Sequence, residues 1–548
     1  MSDRATDLDG ALEAHDELLA RRGVEVWLGA EPTFTRAESL APAWLNAAEG
    51  DDKLDRAEAL ARALAAHLPG AEVARVAGRR FPDEPAPRFA IAVRWHEARS
   101  RYLTVTPDPG VVEVNAAPCA NARELAVQVR AIYEAARAAG LSPVRRRFHG
   151  ELSDSGGGGQ LTLGGPTPEA SPFLRYPHVL PALVRYFNNH PALSYWFAGE
   201  CVGSASQGPR PDEGARERWD ELAVALAWAE QLADRGELSP ERLQQALAPL
   251  LVDVSGNSHR AELNVEKLWN ADLPTHGPRH GKMGVIELRA IRMPERPSML
   301  YALAVLVRSI VARLAVAHYR EPLVDWHDEL HDRFALPAAL ARDLRLVLGD
   351  LDDHGLGVPA ALRRELEAWR PEGIVCRLGD ATLALRPALE FWPLFGDTAS
   401  QERAGARWVD ASTERWELAI DGSGPERVAI AGKWAQLRAL GESSRVLGVR
   451  RRRFDPWPGL HPGMPALDPL VIEWAWAGRA QRIELYAWRP GGGVYADLPA
   501  DDAAALARRA ERVRIATRDG EVEASGYWLE ARPFTIDLRG SELPPSRP

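Results

Sequence analysis

Apolar and polar positions along the chain recur with two periods. Between residues 1 and about 335, stretches of period two alternate with stretches of period 3.6. The period-two segments predict strands at Glu25–Leu28, Phe89–Trp95, Tyr102–Thr106, Val111–Asn115, Gln160–Leu163, His259–Leu263 and Val285–Ile291. The helical segments are Lys53–His67, Ala122–Ala138, His178–Asn189, Glu217–Ala233, Pro240–Leu250 and Pro297–His318. Within Ala122–Ala138, Leu125, Val129, Ile132, Tyr133 and Ala136 form one apolar stripe. The order is not a regular βαβ alternation, so the pattern favours α+β over a doubly wound sheet.

Beyond residue 335 the pattern changes. Two helices, Pro337–Leu348 and Pro359–Trp369, read as a connector spanning 336–372. Short strands then dominate 373–548, separated by glycine-rich turns such as 421–424 and 490–493, with one helix near Ala503–Arg512. The expected organisation is a first domain at 1–335, the connector, and a β-rich C-terminal domain whose many short strands suit a sandwich.

Length and charge narrow the class. With 548 residues the chain exceeds one ordinary core. A net charge of −10 argues against a nucleic-acid surface. Three separated cysteines show neither a disulfide framework nor a zinc spacing, which predicts a cytoplasmic protein. The apolar run Tyr301–Tyr319 carries Arg308 and Arg313, so it reads as a buried helix and no membrane partner is expected. Only four of the 67 basic residues are lysines: Lys53, Lys267, Lys282 and Lys433. The arginine run Arg450–Arg453 is better explained as an exposed strand face than as an anion site.

Candidate chemistry lies in polar pairs at i and i+2 on strands. Glu113 and Asn115, Gln160 and Thr162, Arg260 and Glu262, and Glu287 and Arg289 alternate with mostly apolar neighbours. Any one pair fits an ordinary wet sheet face. Together they are carboxylates, arginines and amides, the set that holds Mg²⁺ and phosphate. Glu31, after a Gly-Ala step and before Pro32, fits either a carboxylate reaching into a cleft or a turn cap. The run Ser155-Gly-Gly-Gly-Gly-Gln160 fits close backbone approach to a phosphate, or a linker. Lys53 could reach phosphates or be solvated, and Asn257 sits in a turn before a polar strand.

Several ordered motifs carry a resemblance. Gly29–Phe34, Phe81–Phe89, Val111–Cys119, Gly157–Gly165, Ser255–Leu263 and Gly284–Ala290 resemble the bacterial family described as putative amidoligases, as do Trp408–Arg415 and Leu460–Pro462. Members often carry a transglutaminase-like domain ahead of this region. The family is placed with the glutamine-synthetase-like carboxylate–amine ligases. The resemblance therefore implies a glutamine-synthetase-like antiparallel sheet with helices on one face. It also implies an ATP-dependent ligase forming an amide or peptide bond through an acyl phosphate. In that reading Glu31, Glu113, Glu262 and Glu287 hold Mg²⁺, and Arg260 and Arg289 stabilise the transferring phosphoryl group. Lys53, Asn115, Gln160 and Asn257 contact ATP or substrate. The family usually has histidine where this chain has Gln160, an amide that hydrogen-bonds but is no base. The substrates implied are small-molecule or peptide carboxylates and amines, with partner enzymes of a peptide-modification pathway. Two alternatives remain: a non-catalytic peptide-binding or scaffold member, and a phosphotransferase that stops at phosphate transfer.

Overall fold

Strands in this chain are laid down where β-branched and aliphatic residues alternate with polar ones, and the resulting sheet puts its two chemistries on opposite faces. A computed structural model describes residues 2–38, 52–68, 71–77, 89–95, 101–108, 110–269, 283–392, 410–454 and 464–539. An eight-stranded antiparallel sheet runs in the order Leu263–Asn264, Ile286–Leu288, Gly159–Gly164, Trp27–Phe34, Val111–Asn115, Arg101–Asp108, Phe89–Trp95, Glu72–Ala77. Leu28, Ala30, Val112, Val114, Leu161, Leu163, Ile286 and Leu288 are buried on one face. Helices Asp52–Ala66, Ala122–Ala138 and Pro297–Val316 join them in a single apolar core.

Local chemistry explains the helices. Asn121 caps Ala122–Ala138 by accepting from Glu124 N at 2.9 Å, and the Glu124 carboxylate accepts from Ala120 N at 2.9 Å. Every residue of the expected stripe is buried. Helix Pro297–Val316 is apolar enough to cross a membrane by composition, yet 89% of its apolar window is buried inside the protein. Its two arginines are satisfied there: Arg308 Nε donates to Val26 O at 3.0 Å, and Arg313 pairs with Asp350 at 2.9 Å.

The helices at 336–372 pack on both sides: Leu336 is buried against Ala384, Ala419 and Val446 of the C-terminal strands. Leu340, Leu344, Val347, Leu362, Leu366 and Trp369 are buried in the same core as the first sheet. Beyond them, two six-stranded sheets face each other across a second core that includes Leu383, Leu418, Leu447, Ile472, Trp474 and Ile483. The C-terminal part is thus a β-sandwich. Its arginine run is not an exposed face. Arg451 and Arg452 are 1% and 3% exposed, because strand Ser444–Arg452 lies between neighbours on both sides. Arg451 Nε donates to Glu414 at 2.6 Å, Arg452 Nε to Ser412 Oγ at 3.0 Å, and Arg450 Nε to Glu390 at 3.0 Å.

Candidate active site

Strand register decides which polar residues share the face opposite the helices. Glu287 stands opposite Thr162 and Asn264, Thr162 opposite Gly29, Gln160 opposite Glu31, and Thr33 opposite Glu113. Strand Trp27–Phe34 does not end before Glu31, as the sequence suggested. It hands over at Pro32 from the Gly159–Gly164 strand to the Val111–Asn115 strand. A residue without an N–H suits that handover, and it leaves Glu31 in mid-strand. Opposite Thr162 only glycine fits: a Cβ at Gly29 would lie 2.2 Å from Thr162 Oγ1.

Glu31 and Glu287 project from the strands that flank Gly159–Gly164, and one ammonium joins them. Lys267 Nζ lies 3.3 Å from Glu31 Oε1 and 3.2 Å from Glu287 Oε2. Arg289 Nη1 donates to the other oxygen of Glu287. The two carboxylates are 8% and 1% exposed. Burial, then the charge of Glu287, pushes the Glu31 carboxyl above the usual range, while Lys267 and Arg289 act against the rise. For Lys267 burial acts downward, but Glu31 and Glu287 outweigh it and the ammonium is held more firmly than usual.

The remaining expected residues are placed differently. Residues 258–260 form a short 3-10 turn instead of a strand, because Asp253 Oδ1 accepts from Ser255 N at 2.8 Å and Asn257 N at 3.0 Å. Asn257 Oδ1 caps that turn by accepting from His259 N at 2.9 Å. Such local side-chain bonds outcompete a ladder. Glu262 consequently leaves the polar face and sits beneath the helices. Ser194 Oγ donates to it, and Arg210 Nη1 lies 4.0 Å away. Burial pushes its carboxyl up to about 7. Glu113 stays on the face, accepting from Asn115 Nδ2 at 2.8 Å. Among the described residues no three His, Cys, Asp or Glu gather as metal ligands, so the four carboxylates do not converge on one ion. Lys53 belongs to helix Asp52–Ala66; its side chain lies outside the described residues, as does Lys282.

The glycine run is a packed turn and not a linker. Thr33 Oγ1 contacts Ser155 Oγ and donates to Gly158 O, both at 2.6 Å, and a Cβ at Gly157 would meet Thr33 at 2.8 Å. Gly156 N is held by Asp154, Gly157 N by Ser155 Oγ and Gly159 N by Ile291 O. Most of its N–H groups are therefore committed internally. Gln160 Nε2 donates to Gly157 O at 3.0 Å, and its Oε1 is buried with no partner. Lys267 and Asn264 are the residues sequence reasoning missed. The rarity of lysine pointed at the first, and extending the Arg260, Glu262 parity by two would have given the second.

A cleft of about 1560 Å³ opens beside this face. Glu113, Gln160, Asn257, Arg260 and Arg289 line one side, and residues of the sandwich, including Arg415 and Arg453, line the other. Its walls carry twelve arginines against nine carboxylates, in a chain whose net charge is −10. Arginine is the side chain best shaped for carboxylate and phosphate oxygens.

An antiparallel sheet with helices on one face and a buried carboxylate–arginine surface on the other, followed by a sandwich, defines an α+β protein with a β-rich C-terminal part. Residues 4–101 and 96–539 match the family "Putative amidoligase enzyme (DUF2126)", and the chain belongs to that family of ligase type. No curated protein matches it. Among solved structures it is similar to a "novel glutamine synthase homolog", at 14% identity over 66% of this chain and 71% of that one, with a TM-score of 0.28. It is also similar to GmaS in an ADP complex, at 14% identity over 66% and 72% of the two chains and a TM-score of 0.31.

Proposed function

We propose that this protein is an ATP-dependent carboxylate–amine ligase. The observation that supports it most is the pair Glu31 and Glu287 closing on a single cation beside Arg289. Mg²⁺ is ordinarily held by one or two carboxylates together with phosphate oxygens and water. Two carboxylates that already share a cation fit that mode, whereas a cage of four would not suit this geometry. Bound there, Mg²⁺ would supply neutralising charge for the phosphates of ATP.

In the proposed reaction a substrate carboxylate oxygen bonds to the γ-phosphorus as the bridging bond to ADP breaks. The amine nitrogen then attacks the acyl carbon, phosphate leaves, and the amine gives up a proton. Arg289 is fixed against Glu287, so its remaining donors are oriented before substrate arrives; Arg260 lines the same cleft. Asn115, Asn257 and Gln160 would contact nucleotide or substrate. The Gln160 amide, with a buried oxygen and no ionisable group, orients and does not accept a proton. Small-molecule or peptide carboxylates and amines are the proposed substrates.

The test is ATP-dependent phosphate release against a library of carboxylates and amines, with the products analysed. Amide and phosphate in equal amounts are expected, falling by about a hundredfold or more in Glu287→Gln with folding intact. Phosphate transfer without amide would identify a phosphotransferase. Absence of Mg²⁺-ATP binding in calorimetry would overturn the ligase reading in favour of a scaffold.

A further inference from the structure

Glu31 and Glu287 lie behind the wall of the cleft. Among the described residues Gln160, opposite Glu31 in the sheet, and Arg289, bonded to Glu287, line the cleft; the two carboxylates do not. Lys267 stands behind the same wall and holds them together, its Nζ 3.3 Å from one and 3.2 Å from the other. The Lys267 side chain is 39% exposed, whereas both carboxylates are buried. Its backbone is fixed, because Lys267 O accepts from Val285 N at 3.0 Å and Leu268 O from Gly284 N at 3.1 Å. What is left to move is the four-carbon stem, which carries three rotatable donors.

The charges balance as they stand, two carboxylates against Lys267 and Arg289. A divalent cation arriving alone would add two positive charges to a balanced group. An ammonium leaving alone would uncover buried carboxylates, which is costly. Nor is a free acid waiting beside it in the chain: Glu266 accepts from Ser258 Oγ and pairs with His259 at 3.3 Å. Both costs vanish when a cation and a polyanion arrive together. The divalent ion takes the carboxylates, and the released ammonium takes the anion. A nucleoside triphosphate with its metal is such a pair. Lysine suits an exchange of this kind better than arginine, whose planar fork favours one fixed partner. Lys267 is one of only four lysines among 67 basic residues.

We propose that Lys267 is a phosphate-binding residue of the nucleotide site, kept on Glu31 and Glu287 until a divalent cation displaces it. The free protein thereby fills its own cation site, and yields it when metal and nucleotide come together. The inference rests on the ligase reading for the identity of the nucleotide, and it deepens that reading by adding a residue and an order of binding.

Calorimetry on the full chain tests it, with Mn²⁺ and adenylyl imidodiphosphate, a non-hydrolysable ATP analogue, titrated singly and together. In the wild type each should tighten the other's binding, by the same factor. Lys267→Met frees the carboxylates for Mn²⁺ and removes a charge-assisted phosphate contact, so that mutual factor should fall about ten- to a hundredfold. Lys267→Arg, which keeps the charge, should restore part of it. Trace acetylation of the wild type gives a second readout, and four lysines make Lys267 simple to follow by peptide mass. Its labelling should rise with Mn²⁺ alone and fall again when the analogue is added, whether or not Lys267→Met folds. An equal factor in wild type and Lys267→Met, or labelling of Lys267 that ignores Mn²⁺, would overturn the proposal while nucleotide binding stands. Absence of analogue binding to the wild type with Mn²⁺ present would overturn the ligase reading and the phosphate role together.

Discussion

At the scale of single residues, Lys267 and Glu262 decide how the carboxylates divide. Lys267 stands where a metal ion would stand between Glu31 and Glu287. With Arg289 it balances the two negative charges within the protein. Lys267→Met removes one of those cations and leaves both carboxylates in place, so a divalent ion should bind more tightly. The gain should be roughly tenfold, since the ammonium is partly exposed and its attraction is screened by solvent. Mn²⁺ or Mg²⁺ titration without nucleotide measures it, and unchanged or weaker affinity would remove this pair from the metal reading. Glu262 makes the opposite prediction. Its carboxyl ordinarily titrates near 4.5 but is pushed up to about 7 in the fold, chiefly by burial. A raised value favours the protonated folded form, so this contribution to stability is full below pH 4.5 and is lost as pH climbs towards 7. The loss is roughly 3 kcal/mol. Glu262→Gln should therefore flatten the change in stability between pH 5 and pH 8, as read by denaturant unfolding. An unaltered slope would show that the group titrates normally.

At the scale of elements, legibility followed how local the determining forces are. Strand Val111–Asn115 and helix Ala122–Ala138 occupy the expected residues, because alternation, a 3.6-residue stripe and the Asn121 cap all lie within the segment. Residues 258–262 misled for the same reason turned round: Asp253 and Asn257 bind the backbone locally and defeat a strand that alternation alone would allow. The burial of the helices at 336–372 and of the arginines at 450–453 was not legible because their partners lie far away in the chain, in the first core and at Glu390, Ser412 and Glu414. The polar face was visible as residue types; its convergence on Lys267 depends on register and was not. Residues 81–88 and 460–462, part of the family motifs, lie outside the described residues. The glycine run shows what register adds. Thr33 is β-branched and fixed by two hydrogen bonds, so it has little freedom to yield to a methyl group 2.8 Å away. Gly157→Ala should cost about 1–3 kcal/mol, measured by denaturant unfolding, and should displace Gln160, whose amide bonds Gly157 O. Full stability in that variant would mean the turn is looser than its packing indicates.

At the scale of the molecule, the cleft exists only while the sandwich rests against the first core, and one contact between them lies at the 147–151 turn, beside others such as Arg415 to His331 O and Ala338 N to Glu417. Helix Asp502–Glu511 packs on the 147–151 turn. Arg508 Nη1 donates to Phe148 O at 2.8 Å, and Arg512, just past the helix, pairs with Glu151 at 2.9 Å and donates to His149 O at 3.2 Å. His149 is held neutral, its pKa lowered to about 2 by burial and by the charges of Arg512, Arg453 and Arg147. At the turn's apex Gly150 has φ +88°, and a Cβ there would lie 2.3 Å from Ala505 O. A backbone oxygen cannot move aside as a side chain can, and the left-handed conformation adds about 1–2 kcal/mol for any L-residue. Gly150→Ala should therefore push the helix off the turn while leaving both apolar cores intact. Thermal unfolding should separate into two transitions, and small-angle scattering should show a larger radius of gyration. A single transition at unchanged size would show that other contacts carry the docking. In that outcome the cleft is a fixed feature of the fold, and its twelve arginines face a substrate without any motion of the C-terminal part.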